Sequence, residues 1–376
     1  MSALPAVHAG PLRHSTNREI YIDVFRGLMA LVMVQGHVMD FLLTREALTQ
    51  PWYVFQLMFH GSTAPGFLFA SGFVSGLPRS PLSLRASARR TRRLLFVFLV
   101  GYFLHLPYFS IWKTLGASSA EERALLLSCD ALQLIALTQL FVIALQWLSG
   151  RHWTRVAAAL AVVVVLATPF VWSSGLAARL PDLLAPYLDV RSGSRFPLFP
   201  FAAFVLGGTL AGAALGRAEP RVRHRRAVVA GGVLLAVGAL LAWALGGRVE
   251  FWGPSPAYSF VRLGALLWLM RVVEIATRAG GLLTRALALL GHETLLVYVL
   301  HLYLLFGGIF GNSPLAGLQG RLGFGAALLV VLGMVPVLLA ASWAWRAAKH
   351  AAPQEARLAL VFLVVAFLYE FLVRAW

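Results

Sequence analysis

Long apolar runs alternate with short polar segments from about residue 21 to the end of the sequence. A membrane-spanning helix needs about 17 to 25 apolar residues, because it rises about 1.5 Å per residue and must cross about 30 Å of hydrocarbon. The pattern therefore predicts an all-α, polytopic transmembrane helical bundle with about eleven spans. The predicted spans cover residues 22–43, 53–76, 94–112, 129–148, 156–173, 198–216, 227–246, 257–273, 288–310, 324–345 and 358–375.

The pattern also predicts a polar tail followed by a single domain. Residues 1–20 lack the apolar core of a cleavable signal peptide, so we expect a cytoplasmic N-terminal tail and a retained first span. No segment between the predicted spans is long enough to fold separately, and the longest connection covers residues 174–197. Residues 21–376 are therefore predicted to form one transmembrane domain.

Composition and charge placement support a membrane location. Hydrophobic residues make up 59% of the chain, charged residues 12%, and the mean hydropathy is +0.77. The net charge of +17 would indicate nucleic-acid binding in a soluble protein, but here the arginines cluster in alternate loops, around residues 79–93 and 217–226. Short loops rich in Lys and Arg stay in the cytoplasm. We therefore expect a cytoplasmic N-terminus and no nucleic-acid partner. The expected location is a bacterial inner membrane.

Several chemistries have no support in the sequence. The single cysteine, Cys129, excludes an intramolecular disulfide and a thiolate metal cluster. The chain has no Gly-rich phosphate loop, no His-Glu-x-x-His pair and no Gly-x-Ser-x-Gly elbow. His37 and Asp40 could ligate a metal in principle, but their spacing is generic, so no metal site is predicted.

Titratable side chains inside the apolar runs are the candidates for chemistry. A charged side chain at the membrane centre costs about 2.5 to 3.5 kcal/mol on insertion scales, so such residues usually face a cavity. The helical rise puts four histidines at a similar depth, which predicts a common cavity. These histidines are His37, His60, His105 and His301. The same layer contains Asp40, Asp130, Gln133, Arg262 and Glu370.

The second predicted span contains a signal for a broken helix. Residues 60–66 read His-Gly-Ser-Thr-Ala-Pro-Gly. Pro65 cannot donate to the carbonyl of Gly61, and the two glycines weaken the helix further. We expect a kink or break beside the His60 imidazole, where protein or a water-filled cavity must satisfy the backbone. The alternative is a kinked packing helix with a hydrogen-bonded histidine.

Two other residue pairs carry open interpretations. Asp23 and Arg26 lie three positions apart at the start of the first span, where they form either a structural ion pair or a first contact for an anionic cofactor. Tyr298 and His301 share a helical face of the ninth span, which opens with residues 291–293, Gly-His-Glu. His301 is either a satisfied core residue or a participant in the site. The small-residue ladder Gly208, Gly212 and Gly216 predicts close helix packing.

Taken together, these motifs resemble the heparan-α-glucosaminide N-acetyltransferase-like family of membrane acyltransferases, within a wider superfamily that includes the acyltransferase-3 enzymes. The resemblance is carried by Asp-Val-Phe-Arg-Gly at 23–27, ten residues between Arg26 and His37, the His60-Gly61 pair and Leu-Gly-His-Glu-Thr-Leu-Leu-Val-Tyr at 290–298. An arginine, ten residues and a histidine in the first helix is the acyltransferase-3 pattern. The resemblance as a whole covers the first two predicted spans and the ninth.

The resemblance implies transfer of an acyl group, usually acetyl, from cytoplasmic acyl-CoA to a sugar amine or hydroxyl across the membrane. His60 matches the family's catalytic histidine and is the predicted general base, since an imidazole with an ordinary pKa of about 6.5 is largely neutral at pH 7. His37 is predicted to polarise the thioester carbonyl or share the proton, and Asp40 to orient one imidazole. The residues predicted to contact acetyl-CoA are Arg26, Asp23, Tyr298 and His301.

Alternatives remain open at the level of sequence. Transfer is either direct or through an acyl-histidine intermediate. The acceptor is a glycan or a lipid-linked sugar, with N- and O-transfer both open, and a homodimer is one of the open assembly states. The competing class is a proton-coupled membrane transporter, whose relay would also need intramembrane His, Asp and Glu. A third class is a subunit of an envelope complex with no site of its own.

Overall fold

The structure is a computed structural model that describes residues 20–77, 83–307 and 313–374. Regular structure in these residues is helical, apart from one isolated β-bridge between Leu43 and Leu322. The first eight helices are α1 (Ile20–Leu42), α2 (Arg45–Leu48), α3 (Pro51–His60), α4 (Thr63–Gly76), α5 (Leu84–Phe103), α6 (Ile111–Ala117), α7 (Ala120–Leu127) and α8 (Ala131–Ser149). The remaining helices are α9 (Trp153–Ser173), α10 (Leu198–Leu215), α11 (Pro220–Leu245), α12 (Pro256–Thr277), α13 (Gly281–His292), α14 (Thr294–Phe306), α15 (Phe324–Ala351) and α16 (Pro353–Val373).

Six helical stretches of the described chain are long and apolar enough to cross a membrane. One of them, Ala131–Ser173, contains both α8 and α9, which a short 3-10 turn at Gly150–His152 separates. The pair α13 and α14, bent by 82°, would make a seventh if it is one span. The all-α, multi-pass class is confirmed, whereas the count of about eleven spans and the cytoplasmic N-terminus stay predictions. Residues 1–19 of the predicted tail, 1–20, and Arg79 of the first arginine-rich loop lie outside the described residues, and Ile20 begins α1.

Two predicted spans are wrong in detail. The third, 94–112, is displaced: α5 ends at Phe103, and an irregular segment precedes Pro107, which has no amide hydrogen and disfavours helix in the residue before it. The ninth, 288–310, is divided at Glu293 instead of being one helix. Tertiary contacts hold that division, because the Glu293 carboxylate binds the Lys349 ammonium at 2.6 and 2.7 Å.

Helix α1 lies at the centre of the bundle and contacts α3, α4, α12, α13, α14 and α15. Its closest neighbour is α13, and two glycines permit the approach. A Cβ on Gly27 would collide with the backbone of Leu287, and a Cβ on Gly291 would collide with the carbonyl of Asp23. The motifs at residues 23–27 and 290–298 are therefore packed against each other in the core.

The predicted glycine ladder is confirmed at two of its three positions. Gly208 and Gly212 of α10 lie against the backbone of Phe69 and Phe73 in α4, with no room for a Cβ at either glycine. Gly216 follows α10 as its C-terminal cap. This pairing holds α4, and with it the end of the broken second helix, against the bundle.

The outer helices expose apolar side chains. In α16 most side chains are exposed, Phe362 by 71%, and the helix packs chiefly on α15 and α6. Helix α11 likewise exposes much of its apolar surface. An exposed apolar surface of this extent is typical of helices that face lipid.

Candidate active site

The second predicted helix is broken beside His60, as expected. Helix α3 ends at His60, Gly61 and Ser62 form a turn, and α4 starts at Thr63. Pro65 lies in the first turn of α4, where its missing amide hydrogen costs no helical hydrogen bond. The break therefore ends one helix at the imidazole and starts the next beside it.

Side chains satisfy the carbonyls that the break leaves without helical partners. The Thr63 hydroxyl donates to the carbonyl of His60 at 2.8 Å. From α12, the Arg262 guanidinium donates to the carbonyl of Met58 at 2.7 Å and also to the Ser62 hydroxyl. Irregular backbone at membrane depth requires such partners. Arg262 therefore fixes the segment that carries His60. Its predicted depth in the membrane did not reveal this role.

A hydrogen-bonded pair of histidines fixes the tautomer of His37. His301 Nδ1 lies 2.8 Å from the carbonyl oxygen of Val297, and a carbonyl can only accept, so Nδ1 carries the hydrogen. In neutral His301, Nε2 is then an acceptor. His37 Nδ1 lies 2.9 Å from that Nε2 and donates to it. The lone pair of neutral His37 is therefore on Nε2.

His60 packs beside His37 across the gap between α1 and α3. The centroids of the two rings are 5.5 Å apart, with planes at 72°. His60 Nε2 lies 3.6 Å from the Asp40 carboxylate, which also accepts a hydrogen bond from the Tyr53 hydroxyl. The other nitrogen, Nδ1, is buried and has no hydrogen-bond partner within the described chain.

Gly36 makes room for the His60 ring. A Cβ at this position would fall on the ring atoms of His60, including Nδ1. Any larger residue in α1 would therefore push the imidazole away. Sequence reasoning missed Gly36, because a glycine inside an apolar run carries no signal until the neighbouring helix is placed.

His37 and His60 line a common cavity of about 410 Å³, which we call the histidine cavity. Its wall also includes His105, Asp130, Gln133, Arg195 and Tyr298. Five of the nine polar residues predicted to share a layer therefore line this cavity, whereas Asp40, His301, Arg262 and Glu370 do not. Glu370 does not join it and is exposed on α16. A volume of this size is typical of a small-molecule site.

A second cavity, of about 370 Å³, adjoins the first, and we call it the arginine cavity. It is lined by Arg26, Arg90 and Arg93, together with Thr294 at the start of α14. The two cavities share four wall residues: Phe67, Ala131, Leu132 and Tyr298. Three arginines therefore lie on one side of the shared wall, whereas three imidazoles and Arg195 lie on the other.

Arg26 is held in place by contacts within α1 and with α14. Its guanidinium lies 3.7 Å from the Asp23 carboxylate and donates to the hydroxyl of Thr294, the first residue of α14. Along α1, His37 follows Arg26 by eleven positions, or about 16 Å of helix. One helix therefore presents a cation to the arginine cavity and an imidazole to the histidine cavity.

The predicted site residues fall into three groups. His37, His60 and Tyr298 line the histidine cavity, and Arg26 lines the arginine cavity. Asp40 contacts His60 without lining either space. The remaining two, Asp23 and His301, also line neither cavity; His301 is fully buried behind His37, and Asp23 lies under Arg26. These two reach a bound molecule only through their partners.

The matched family fits this arrangement. The acyltransferase-3 family model, which describes an acyltransferase domain, matches residues 19–346, so the chain belongs to that family. The match ends within α15 and leaves α16 outside. The predicted superfamily is thereby confirmed, whereas the closer resemblance to heparan-α-glucosaminide N-acetyltransferases stays a prediction. The sequence matches none of the curated proteins with which it was compared.

Proposed function

We propose that this membrane acyltransferase moves an acetyl group from acetyl-CoA to an amine or hydroxyl of a sugar-containing acceptor. The observation that carries the proposal is a base of fixed tautomer, His37, in a cavity that adjoins one lined by arginines. The resemblance of residues 290–298 to the heparan-α-glucosaminide branch supports acetyl as the acyl group and a sugar as the acceptor. A bacterial inner membrane, with the donor on the cytoplasmic side, is part of the proposal.

The arginine cavity suits the charged part of the donor. Guanidinium groups bind phosphate through paired, charge-assisted hydrogen bonds, and Arg26, Arg90 and Arg93 supply three of them. The thin pantetheine arm of coenzyme A would then pass the wall at Phe67 and Tyr298. Its thioester would reach the histidine cavity, where the acceptor is held.

His37 is the general base in this proposal. As the acceptor nitrogen or oxygen attacks the thioester carbonyl carbon, its proton passes to His37 Nε2. The carbon–sulfur bond then breaks, and the coenzyme A thiolate takes the proton from the imidazolium. His301 keeps the ring in the required tautomer through its bond to His37 Nδ1.

His60 takes the supporting role in this assignment. One of its nitrogens faces Asp40, and the other is buried against Gly36, so His37 is the better base. This reverses the roles expected from the sequence. His60 supports the base by packing against the His37 ring, with 5.5 Å between the ring centroids, and by its contact with Asp40.

The two-step route through an acyl-imidazole on His37 is the mechanistic alternative. In that route the acetyl group is transferred to Nε2, free coenzyme A leaves, and the acceptor then attacks the acyl-imidazole. Rapid quenching without acceptor separates the routes, because only the second route yields stoichiometric protein-bound acetyl label.

Reconstituted protein tests the function directly. Purified wild-type protein in liposomes, given labelled acetyl-CoA and a mixture of simple amino sugars and sugar alcohols, should release free thiol and produce labelled acceptor. His37→Gln should bind acetyl-CoA and fail to transfer acetyl. The protein is instead a transporter if it binds no acetyl-CoA and moves solute along a pH gradient without thioester.

A further inference from the structure

A second cluster of polar side chains lies in the histidine cavity and takes no part in the mechanism above. His105 Nε2 lies 3.3 Å from the Asp130 carboxylate, and both side chains are 14% exposed. His105 Nδ1 lies 3.4 Å from the Ser128 hydroxyl. His105 comes from the irregular segment after α5, and Asp130 caps the start of α8 through the amide of Ala131. Two elements are therefore joined at this wall.

The connection between α9 and α10, residues 174–197, adds the cationic side chain of Arg195 to the cluster. Three hydrogen bonds attach it beside Asp130: the Cys129 amide donates to the Ser194 hydroxyl at 2.7 Å, the Phe196 amide to the Cys129 carbonyl at 3.2 Å, and the Cys129 thiol to the Phe196 carbonyl at 3.2 Å. Arg195 lies between the two attached residues and lines the cavity. Its backbone is therefore fixed before any ligand binds.

Gln133 provides the observation that points to a ligand. The residue is fully buried and lines the histidine cavity, yet its Oε1 has no hydrogen-bond partner among the residues that the structure describes. The amide nitrogen makes one long contact of 3.5 Å with the Ser128 carbonyl. Leaving a buried acceptor unpaired costs about 1 to 3 kcal/mol. Gln133 borders the cavity beside Gly101, so a bound molecule that reaches this oxygen would supply the missing donor.

The cluster lies apart from the donor's route. His105, Asp130, Gln133 and Arg195 line the histidine cavity and are not among the residues of the arginine cavity. It shares this cavity with the reacting group, because His37 lines the same space. A carboxylate, an imidazole, an amide and a guanidinium offer donors and acceptors side by side.

We propose that His105, Asp130, Gln133 and Arg195 form the subsite that binds the polyhydroxylated part of the acceptor. Each sugar hydroxyl donates one hydrogen bond and accepts others, so neighbouring hydroxyls match this mixed wall. An alcohol with one hydroxyl would satisfy few of these groups. The inference rests on the proposed function and names the class of acceptor: a hexose-like ring with adjacent hydroxyls, held so that its nucleophile faces His37.

Gln133→Leu tests the subsite at nearly constant volume. Gln146→Leu is the matched control, because Gln146 lies on the same helix, is buried, also has an unpaired Oε1, and lines neither cavity. With acetyl-CoA saturating, thiol release is measured with methyl α-glucopyranoside and with cyclohexanol as acceptors. Gln133→Leu should raise KM for the glucoside about tenfold, the effect of one lost hydrogen bond of about 1.4 kcal/mol, and leave the values for cyclohexanol and acetyl-CoA unchanged.

Binding of the sugar is measured separately from turnover. Saturation-transfer NMR on wild-type protein should show the glucoside bound, with the signal weakened in Gln133→Leu and Asp130→Asn and retained in Gln146→Leu. An absent signal in the wild type, or equal KM changes for the glucoside and cyclohexanol, would overturn the subsite. If acetyl-CoA still binds and is consumed in that case, the proposed acyltransferase function stands; if it does not bind, that function fails too.

Discussion

The histidine cavity and the arginine cavity have similar volumes, about 410 and 370 Å³, and share one wall, but their chemistry differs. The arginine cavity has three guanidinium groups and no histidine among its lining residues. The histidine cavity has three imidazoles, two of which contact carboxylates. In the proposed function, this difference places recognition of the charged donor and reaction at its neutral acyl end in separate spaces. Variants in the arginine cavity should then change the affinity for acetyl-CoA, and variants of the base in the histidine cavity should change turnover.

The largest expected effect is the loss of the base in the histidine cavity. His37→Gln removes the titratable nitrogen, and we expect the rate of transfer to fall by about 10² to 10⁴, the usual contribution of a general base. Affinity for acetyl-CoA, measured by equilibrium binding, should stay within about twofold, because the phosphates bind elsewhere. His152→Gln, at an exposed histidine in the turn between α8 and α9, is the control and should be silent. A matched loss of binding and turnover in His37→Gln would contradict the division between the cavities.

A smaller effect is expected from crowding the second imidazole. Gly36→Ala places a methyl group where the His60 ring lies, so the ring must move, and we expect turnover to fall by about ten- to a hundredfold. Gly333→Ala is the matched control, since no atom lies within 4 Å of a Cβ built there. Unfolding midpoints of both variants separate a displaced ring from a weakened fold. Normal turnover in Gly36→Ala would remove His60 from the reaction.

The smallest expected effect tests the arginine cavity. Arg93 and its neighbour Arg92 are both exposed, but only Arg93 lines this cavity. Arg93→Ala should weaken acetyl-CoA binding about three- to fivefold at low ionic strength, because an exposed charge contributes about 1 kcal/mol or less. Its kcat should be unchanged, and Arg92→Ala should match the wild type. Equal effects of the two variants would show that only the general positive potential of the loop matters.

Much of the site could be predicted from the sequence, because it depends on local rules. The helical rise brought His37 and His60 to one level, and Pro65 with its flanking glycines marked the break beside His60. The spacing of Asp23 and Arg26 likewise indicated their pairing. Each of these inferences needs only the periodicity of one helix.

The rest depends on how helices are rotated and placed against one another. The division of the ninth span at Glu293 has no proline signal and is held by Lys349, which is far away in sequence. The hydrogen bond from Arg262 to the carbonyl of Met58, beside the helix break, requires α12 to lie next to α3. The hydrogen bond between His37 and His301 requires α1 and α14 to present particular faces to each other. No single-helix pattern contains that information.

Because Arg26 and His37 lie on one continuous helix, α1 fixes the distance between the proposed phosphate contact and the proposed base. The interval of about 16 Å cannot shorten without unwinding α1. A compact activated donor such as acetyl phosphate, whose anionic group is adjacent to its acyl carbon, cannot touch both residues at once. In the proposed function, selectivity for a long carrier thus follows from the backbone geometry of α1, without any contact to the middle of the carrier.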